Sequence, residues 1–411
     1  MQQIRYLIVV VTIALVVNLL WAWSGAAQQV SATVQEGDSL WKIAKRAYGR
    51  GSLWTLIADA NGIDVANPRF LQVGERLIVP GMVTTFIAGF NSPRGLAFDG
   101  MGDLWVAEAG IGGDLLVETP VGPNCVGATG RVLKVDSERR IETVVDGLPS
   151  GVENQALSAQ TGTLDCSSSD FYTVGTPGAV GLHGLLYTGG TLYMVQGAGG
   201  APISSSLLQV GMDGLTPVAS FGPFEQENNP DGAEIDSNPW AAAAAPNGFY
   251  ATDAGGNTLY RVSQDGTLSP LFAWTDNPVP TALASDADGN AYVSFLTHVP
   301  FEVGTSSVVK VTPAGEVTIL TGGLTMVVGL TWGPDGALYA VELGSELTER
   351  GIPPQTGRLV RVGLDGSMSV VAEGLNYPTF ATMGPDDAIY VAVNSAFSPP
   401  GTGAVIRIAL P

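Results

Sequence analysis

"SPRGLAFDGMGDLWVAEAG", Ser92–Gly110, is an apolar run, an Asp-Gly turn and a second alternating run that stops at glycine. Two runs of period two around a Gly-rich turn read as a β-hairpin. The pattern returns five times. It recurs as "VGLHGLLYTGGTLYMVQGAGG" (180–200), "NPWAAAAAPNGFYATDAGGN" (238–257) and "VPTALASDADGNAYVSFLTH" (279–298), then as "VVGLTWGPDGALYAVELG" (327–344) and "YPTFATMGPDDAIYVAVNS" (377–395). Most copies are followed by a second hairpin, such as "GRVLKVDSERRIETVVDGL" or "GRLVRVGLDGSMSVVAEGL". Four strands per unit, repeating every 40–60 residues or so, mark a β-propeller, and six units predict six blades. The sixth unit supplies three strands, ending in "GAVIRIALP". The strand ahead of the first unit, "MVTTFIAGF" (82–90), matches the outer strands "ETVVDGL" and "VTILTGGL". It is expected to complete the last blade and close the ring, which removes exposed sheet edges.

Composition agrees with a turn-rich β protein. Gly and Pro make up near a fifth of the 411 residues, and charged residues only 14%. So apolar a chain is not disordered. The net charge of −20 is unevenly placed: residues 1–81 hold seven Lys/Arg against five Asp/Glu, and the remainder eleven against thirty-three. The change of sign near Gly81 suggests a domain boundary. An acidic surface lacks the basic footprint of nucleic-acid binding, which excludes nucleic acid as a partner.

At the N-terminus Arg5 precedes an apolar run from Tyr6 to Trp23, followed by Ser24-Gly25-Ala26. Residues 1–28 read as a cleaved signal peptide or a retained membrane anchor, and both readings export the rest of the chain. Membrane contact is expected only through this segment. The two cysteines, Cys125 and Cys166, permit one disulfide in an exported chain. Two separate buried thiols are the alternative. Each cysteine sits in a long insertion of the first unit, at 111–130 and 149–179, both read as loops.

Residues 31–80 have their own pattern, β-α-α-β. Val34 opens a strand, Gly37-Asp38-Ser39 turns and caps, and Leu40, Trp41, Ile43, Ala44 and Ala47 recur at helical spacing. Leu53 to Ala60 form a second helix stopped by Asn61-Gly62, and "RLIVP" closes the unit. "GDSLWKIAKRAYG", "LIADANG" and "NPRFLQVGERLIVP", in that order, resemble a LysM module. The resemblance implies binding of peptidoglycan or chitin-like N-acetylglucosamine glycans in a shallow groove. Mapped here, Gly37, Asp38, Ser39 and Leu40 would form one side and Asn61, Gly62 and Ile63 the other. The competing reading of Asp38, Ser39 and Asn61 is helix capping.

The propeller repeats, with "SPRGLAFDGMGDLWVAEAGIGG" and "CVGATGRVLKV", resemble the ScyD/ScyE family of six-bladed propellers across residues 82–411. That family is named for proteins of a gene cluster for the pigment scytonemin, and is more specific than a general NHL or gluconolactonase-like propeller.

A propeller places the start of each first strand and the end of each second strand on one face. The first set is Arg94, His183, Trp240, Thr281, Val328 and Thr379; the second is Glu108, Gln196, Asp253, Phe295, Glu342 and Asn394, beside Val393. Arg94, His183, Trp240 and Gln196 are expected as a central ligand site. Glu108, Asp253, Glu342 and Asn394 offer hard oxygen ligands that suit Ca²⁺ or a similar divalent cation. Two structural readings compete: Arg94 pairs with Glu108 and merely holds the ring, and His183 is a hydrogen-bonded channel residue. "SDADGNAYV" (285–293) lacks the late glutamate of an EF-hand loop and reads as a hairpin turn. His298 falls on a loop. No Ser-His-Asp order, P-loop or dinucleotide fingerprint appears, so no catalytic residue is assigned.

Two functions stand as expectations. One is an exported, cell-wall-associated binding protein whose LysM module holds peptidoglycan and whose propeller takes a protein or small-molecule ligand. The other is a metal-dependent extracytoplasmic enzyme, a lactonase-like hydrolase or an oxidative one, using the acidic ring.

Overall fold

The computed structural model describes the chain except residues 1–30, 49–50, 52–53, 65–69, 80–82, 120–121, 154–164, 167–177, 199–202, 212, 350 and 411. The expectations for residues 1–28 therefore lie outside the described residues. Among the described ones no helix is long and apolar enough to cross a membrane.

The protein is mainly β, in several antiparallel sheets of the propeller kind. The first sheet is built on Pro93–Phe98, Leu104–Glu108, Gly122–Val135 and Ile141–Glu153. Four others each take four consecutive strands, starting at Leu182–Thr188, Pro239–Ala245, Pro280–Ser285 and Val327–Trp332. A further sheet runs Ala381–Met383, Ile389–Val393, Gly403–Ile408, and its fourth strand is Val83–Phe90 from the other end of the propeller sequence. Each first strand lies against the first strand of the next sheet, and Ala381–Met383 lies against Pro93–Phe98.

The first-hairpin turns carry a repeated polar clamp. Asp99 accepts from Trp105 Nε1 (3.1 Å) and Asp286 from the Tyr292 hydroxyl (3.1 Å); Asp335 and Asp386 hold Tyr339 (3.4 Å) and Tyr390 (3.5 Å) the same way. The "SDADGNAYV" segment is such a turn, with Asp286 receiving the amides of Asp288 and Asn290.

Two expectations need correction. The insertion at 111–130 is not a loop: Leu115–Thr119 pairs with the first half of Gly122–Val135, so the blade's second hairpin is extended. The second insertion begins as strand too, since Ile141–Glu153 runs on and pairs with Gly178–Val180. Val152 stands opposite Cys125 and is buried beside it and Ala179. Cys125 and Cys166 are joined in a disulfide that spans the two insertions.

The N-terminal unit has the expected order: Ser31–Thr33, helices Leu40–Tyr48 and Trp54–Ala60, and Arg76–Ile78 paired antiparallel with the first strand. Its core is Val34, Ile43, Ala44, Ile57 and Leu77, all buried. The unit rests on the fifth sheet, where Glu373 accepts from Thr33 Oγ1 (2.8 Å) and Ser31 Oγ (3.3 Å), and where Val371 packs on the small core.

Candidate functional site

In the N-terminal unit, the residues expected in the groove chiefly shape its two loops. The Asp38 carboxylate takes a bidentate pair from Arg46 (2.9 and 2.8 Å) and accepts from the Gln35 amide (2.9 Å). The Arg46 bond holds the Asp38 pKa below the usual carboxylate range. Ser39 Oγ accepts from the Lys42 amide at the start of the helix (3.2 Å), which is a cap. Asn61 uses its whole side chain: Nδ2 donates to the Ile57 and Ile78 carbonyls and Oδ1 accepts from the Ile78 amide, all at 2.7 Å. Leu40 and Ile63 are buried in the core. That leaves Gly37 and Gly62, exposed and at φ 79° and 62°, and the Gly37 carbonyl accepts from Lys42 Nζ (2.8 Å). Asn61→Ala removes three part-buried hydrogen bonds, so the unit should lose on the order of 2–3 kcal/mol in stability, checked by thermal denaturation.

At the propeller axis the first strands share a device. Register breaks lie between Pro93 and Leu96, Leu182 and Gly184, Pro239 and Ala241, Pro280 and Leu283, and Val327 and Gly329. Arg94, His183, Trp240, Thr281 and Val328 fall within those breaks. A bulged residue is freed from the ladder and its side chain re-aimed. Here they meet one another. Arg94 lies over the Trp240 ring (5.2 Å) and His183 packs on that ring (4.5 Å), with Phe380 stacked at 5.7 Å. Trp240 Nε1 donates to the Val328 carbonyl (3.1 Å), Thr281 Oγ1 to Val327 (2.6 Å) and Thr379 Oγ1 to Pro93 (3.3 Å). Arg94 Nη2 donates to the Ala179 carbonyl.

Every member of this group is buried, so the axis is filled rather than open. Burial lowers the Arg94 pKa to about 10. Burial, aided by the Arg94 charge, takes His183 down to about 3, and its Nδ1 lies 3.0 Å from the Pro239 carbonyl. His183 is a neutral packing residue here. Gln196 donates to the Pro149 carbonyl (3.3 Å). Three of the four expected ligand-site residues, Arg94, His183 and Trp240, thus meet at the axis as a plug, and Gln196 is bonded elsewhere.

The acidic ring does not converge. Glu108 pairs with Arg131, directly opposite on the third strand (2.7 Å), and accepts from the Asn91 amide (2.8 Å). Its partner is therefore not Arg94. Glu342 repeats this with Arg358 (2.5 Å) and the Thr325 amide (2.7 Å). Asp253 accepts from Ser237 Oγ (2.6 Å) and the Asn238 and Gly256 amides (2.7 and 3.1 Å). Asn394 bonds Asn376 (2.8 Å) and the Thr402 carbonyl (2.7 Å). Phe295 packs edge-on to Trp274 (5.3 Å). Each polar group ties its blade's loop to its strand end, and among the described residues no three His, Cys, Asp or Glu come together as a metal would need. The Ca²⁺ assignment loses its geometry for that reason.

A different cluster was not anticipated. Helix Phe221–Asn228 connects the sheets that start at Leu182 and Pro239. It carries Glu225, fully buried, whose Oε1 accepts from the Asp236 amide (2.9 Å) and whose Oε2 has no donor. Burial, with Asp253 nearby, raises Glu225 to about 7; burial raises Asp253 to about 6. A cavity of about 500 Å³ opens between the loops of the blades that start at Pro239 and Pro280, lined by Asp236, Gly255 and Asn257 beside this group but not by Glu225 or Asp253 themselves. Asp236, Asn257, Asn277, Val279, Thr297, His298 and Phe301 are among its walls.

Comparison with known proteins fits this division. Residues 32–80 match the LysM domain family. No curated protein matches the chain. Among solved structures, a structural genomics protein of unknown function from Bacteroides thetaiotaomicron is 16% identical, with 84% of each chain covered and a TM-score of 0.50. A putative gluconolactonase is 13% identical over 81% of this chain and 94% of its own, with a TM-score of 0.46. Virginiamycin B lyase from Staphylococcus aureus is 14% identical over 79% and 87%, with a TM-score of 0.43. Likeness at such identities is one of fold alone. The chain thus joins a LysM domain to a mainly β fold of the propeller kind.

Proposed function

We propose that the protein is an exported, cell-wall-associated binding protein. Its LysM domain holds N-acetylglucosamine glycan of peptidoglycan, and residues 82–411 form a six-bladed propeller of the ScyD/ScyE kind that presents its loops to a ligand. The observation that carries the reading is the LysM match at residues 32–80, with Gly37 and Gly62 turning two loops outward at the helix ends. Pairing of Val83–Phe90 with Gly403–Ile408 supports a closed ring of six blades, and the disulfide suits an oxidising compartment. Enzymatic use of the acidic ring has no comparable support, because its carboxylates are bound within their own blades.

The test is co-sedimentation. Full-length protein should pellet with insoluble peptidoglycan and be displaced by N-acetylglucosamine oligomers, whereas protein lacking residues 31–80 should stay in solution. Equal pelleting of both would overturn the anchoring.

A further inference from the structure

We propose that the cavity in front of Glu225 binds a small organic cation, one bearing a primary ammonium on a polar frame of about disaccharide size. This deepens the ligand-binding half of the proposed function and does not depend on the LysM half. The cavity measures about 500 Å³, within the usual range for small-molecule sites.

Its charge is one-sided. Among the described residues no Lys or Arg lines it, while Glu234 and Asp236 do, and His298 is the one basic side chain in its lining. Neither carboxylate makes an ion pair or side-chain hydrogen bond with a described residue, although Arg46, Arg131 and Arg358 elsewhere are all paired with acids. Behind the wall the fully buried Glu225 adds a carboxyl oxygen with no donor, directly beneath Gly256, where a Cβ would lie 2.6 Å from it. Gly255 and Asn257 on either side of that glycine face the cavity. The carboxylates of Glu234 and Asp236, with no Lys or Arg among the described lining residues, favour a cation in the recess.

The cation is organic. A divalent metal favours several carboxylates at one point, and among the described residues no three His, Cys, Asp or Glu come together. The other walls suit an extended molecule. Asn277 has no hydrogen bond to a described residue, Thr297 Oγ1 is buried without a partner, and Phe301 offers an aromatic ring to an ammonium. Asn238 and Asn257 instead hold the frame, accepting from the Ala198 amide (2.9 Å) and the Val279 amide (3.2 Å).

Three disaccharides on one backbone separate the possibilities: the dimer of glucosamine, its N-acetylated form and cellobiose, titrated into the full-length protein at about pH 6.5, where the amines are charged. The glucosamine dimer should bind at least about tenfold more tightly than cellobiose, since a charge-assisted bond replaces a neutral one. The double variant Glu234→Gln, Asp236→Asn should lose at least about tenfold for the glucosamine dimer alone. The same variant should still co-sediment with peptidoglycan, so failure here and failure of the anchoring reading are distinguishable. Equal binding of the glucosamine dimer and cellobiose, no binding of the glucosamine dimer, or no effect of the double variant overturns the proposal, whereas N-acetylated dimer binding that the double variant leaves unchanged reports on the LysM domain. So does a thermal shift with calcium that the double variant abolishes.

Discussion

Between about pH 4 and pH 7.5 the Glu225–Asp253 pair is expected to cost the fold on the order of 2 kcal/mol. Both carboxyls are fully buried, and burial raises them to about 7 and about 6 from ordinary values of 4.5 and 3.8. The folded chain therefore keeps protons that the unfolded chain has released. Their contribution is complete below about pH 4 and is lost as pH rises through about 7. Separate shifts of this size would sum to more. The two groups repel each other, however, and one proton relieves both, which makes the joint cost smaller than the sum.

Carboxylates held low by partners, such as Asp38 and Asp335, act in the opposite sense, losing their contribution as pH falls through their lowered pKa values. The measurement is thus a difference. Urea denaturation of Glu225→Gln and of the unaltered protein should diverge as pH rises, the variant becoming the more stable by about 2 kcal/mol at pH 7.5. The substituted amide keeps an acceptor for the Asp236 backbone N–H and removes the charge. Parallel profiles would show that Glu225 is solvated in solution.

The six hairpins were legible because period-two alternation and Gly-rich turns are local properties, as in Pro93–Phe98 and Leu104–Glu108. The LysM order was legible for the same reason. The axis was half legible: the equivalent positions Arg94, His183 and Trp240 could be aligned, but not their mutual packing. That depends on bulges and on sheets meeting across 50 or more residues, as Arg94 and His183 do on the Trp240 ring. A signal lay in Gly95, Gly184 and Gly329, each beside a bulged residue and each where a Cβ would meet a neighbouring backbone at 2.4–2.8 Å.

Glu108 and Glu342 were expected as metal ligands, with Arg94 as an alternative partner for Glu108, and they pair instead with Arg131 and Arg358. The clue was the "GR" that opens both "GRVLKV" and "GRLVRV", placing Arg131 and Arg358 across from each glutamate once the register is known. The sequence reading placed no element over Phe221–Asn228, whose first turn holds Gly222 and Pro223. Proline is tolerated in a helix's first turn, where its missing donor is not needed. With that helix went Glu225 and the cavity in front of it.

Arg131→Ala and Arg358→Ala are each expected to destabilise the protein by about 3–5 kcal/mol, the largest single-site losses outside the apolar core. Glu108 and Glu342 are fully buried, while the arginines covering them keep roughly a quarter to a third of their side chains exposed. Removing the arginine leaves a carboxylate with one backbone donor, Asn91 N or Thr325 N, in place of a full charge partner. The outer pairs Arg361–Asp335 and Arg407–Asp386 have comparable contacts of 2.5 and 2.6 Å, yet both partners are about a third or more exposed. Water screens those, so Arg361→Ala and Arg407→Ala should cost at most about 1 kcal/mol.

Burial of the acid, and not the N–O distance, is what separates the two classes. The double variant Glu342→Gln, Arg358→Ala should recover much of the loss, because no charge is then left unpaired. Chemical denaturation of the four arginine variants and the double variant decides the matter. Equal losses at inner and outer pairs would mean that the glutamates reach water in solution, and these pairs could then no longer be said to pin the loops to the strand ends.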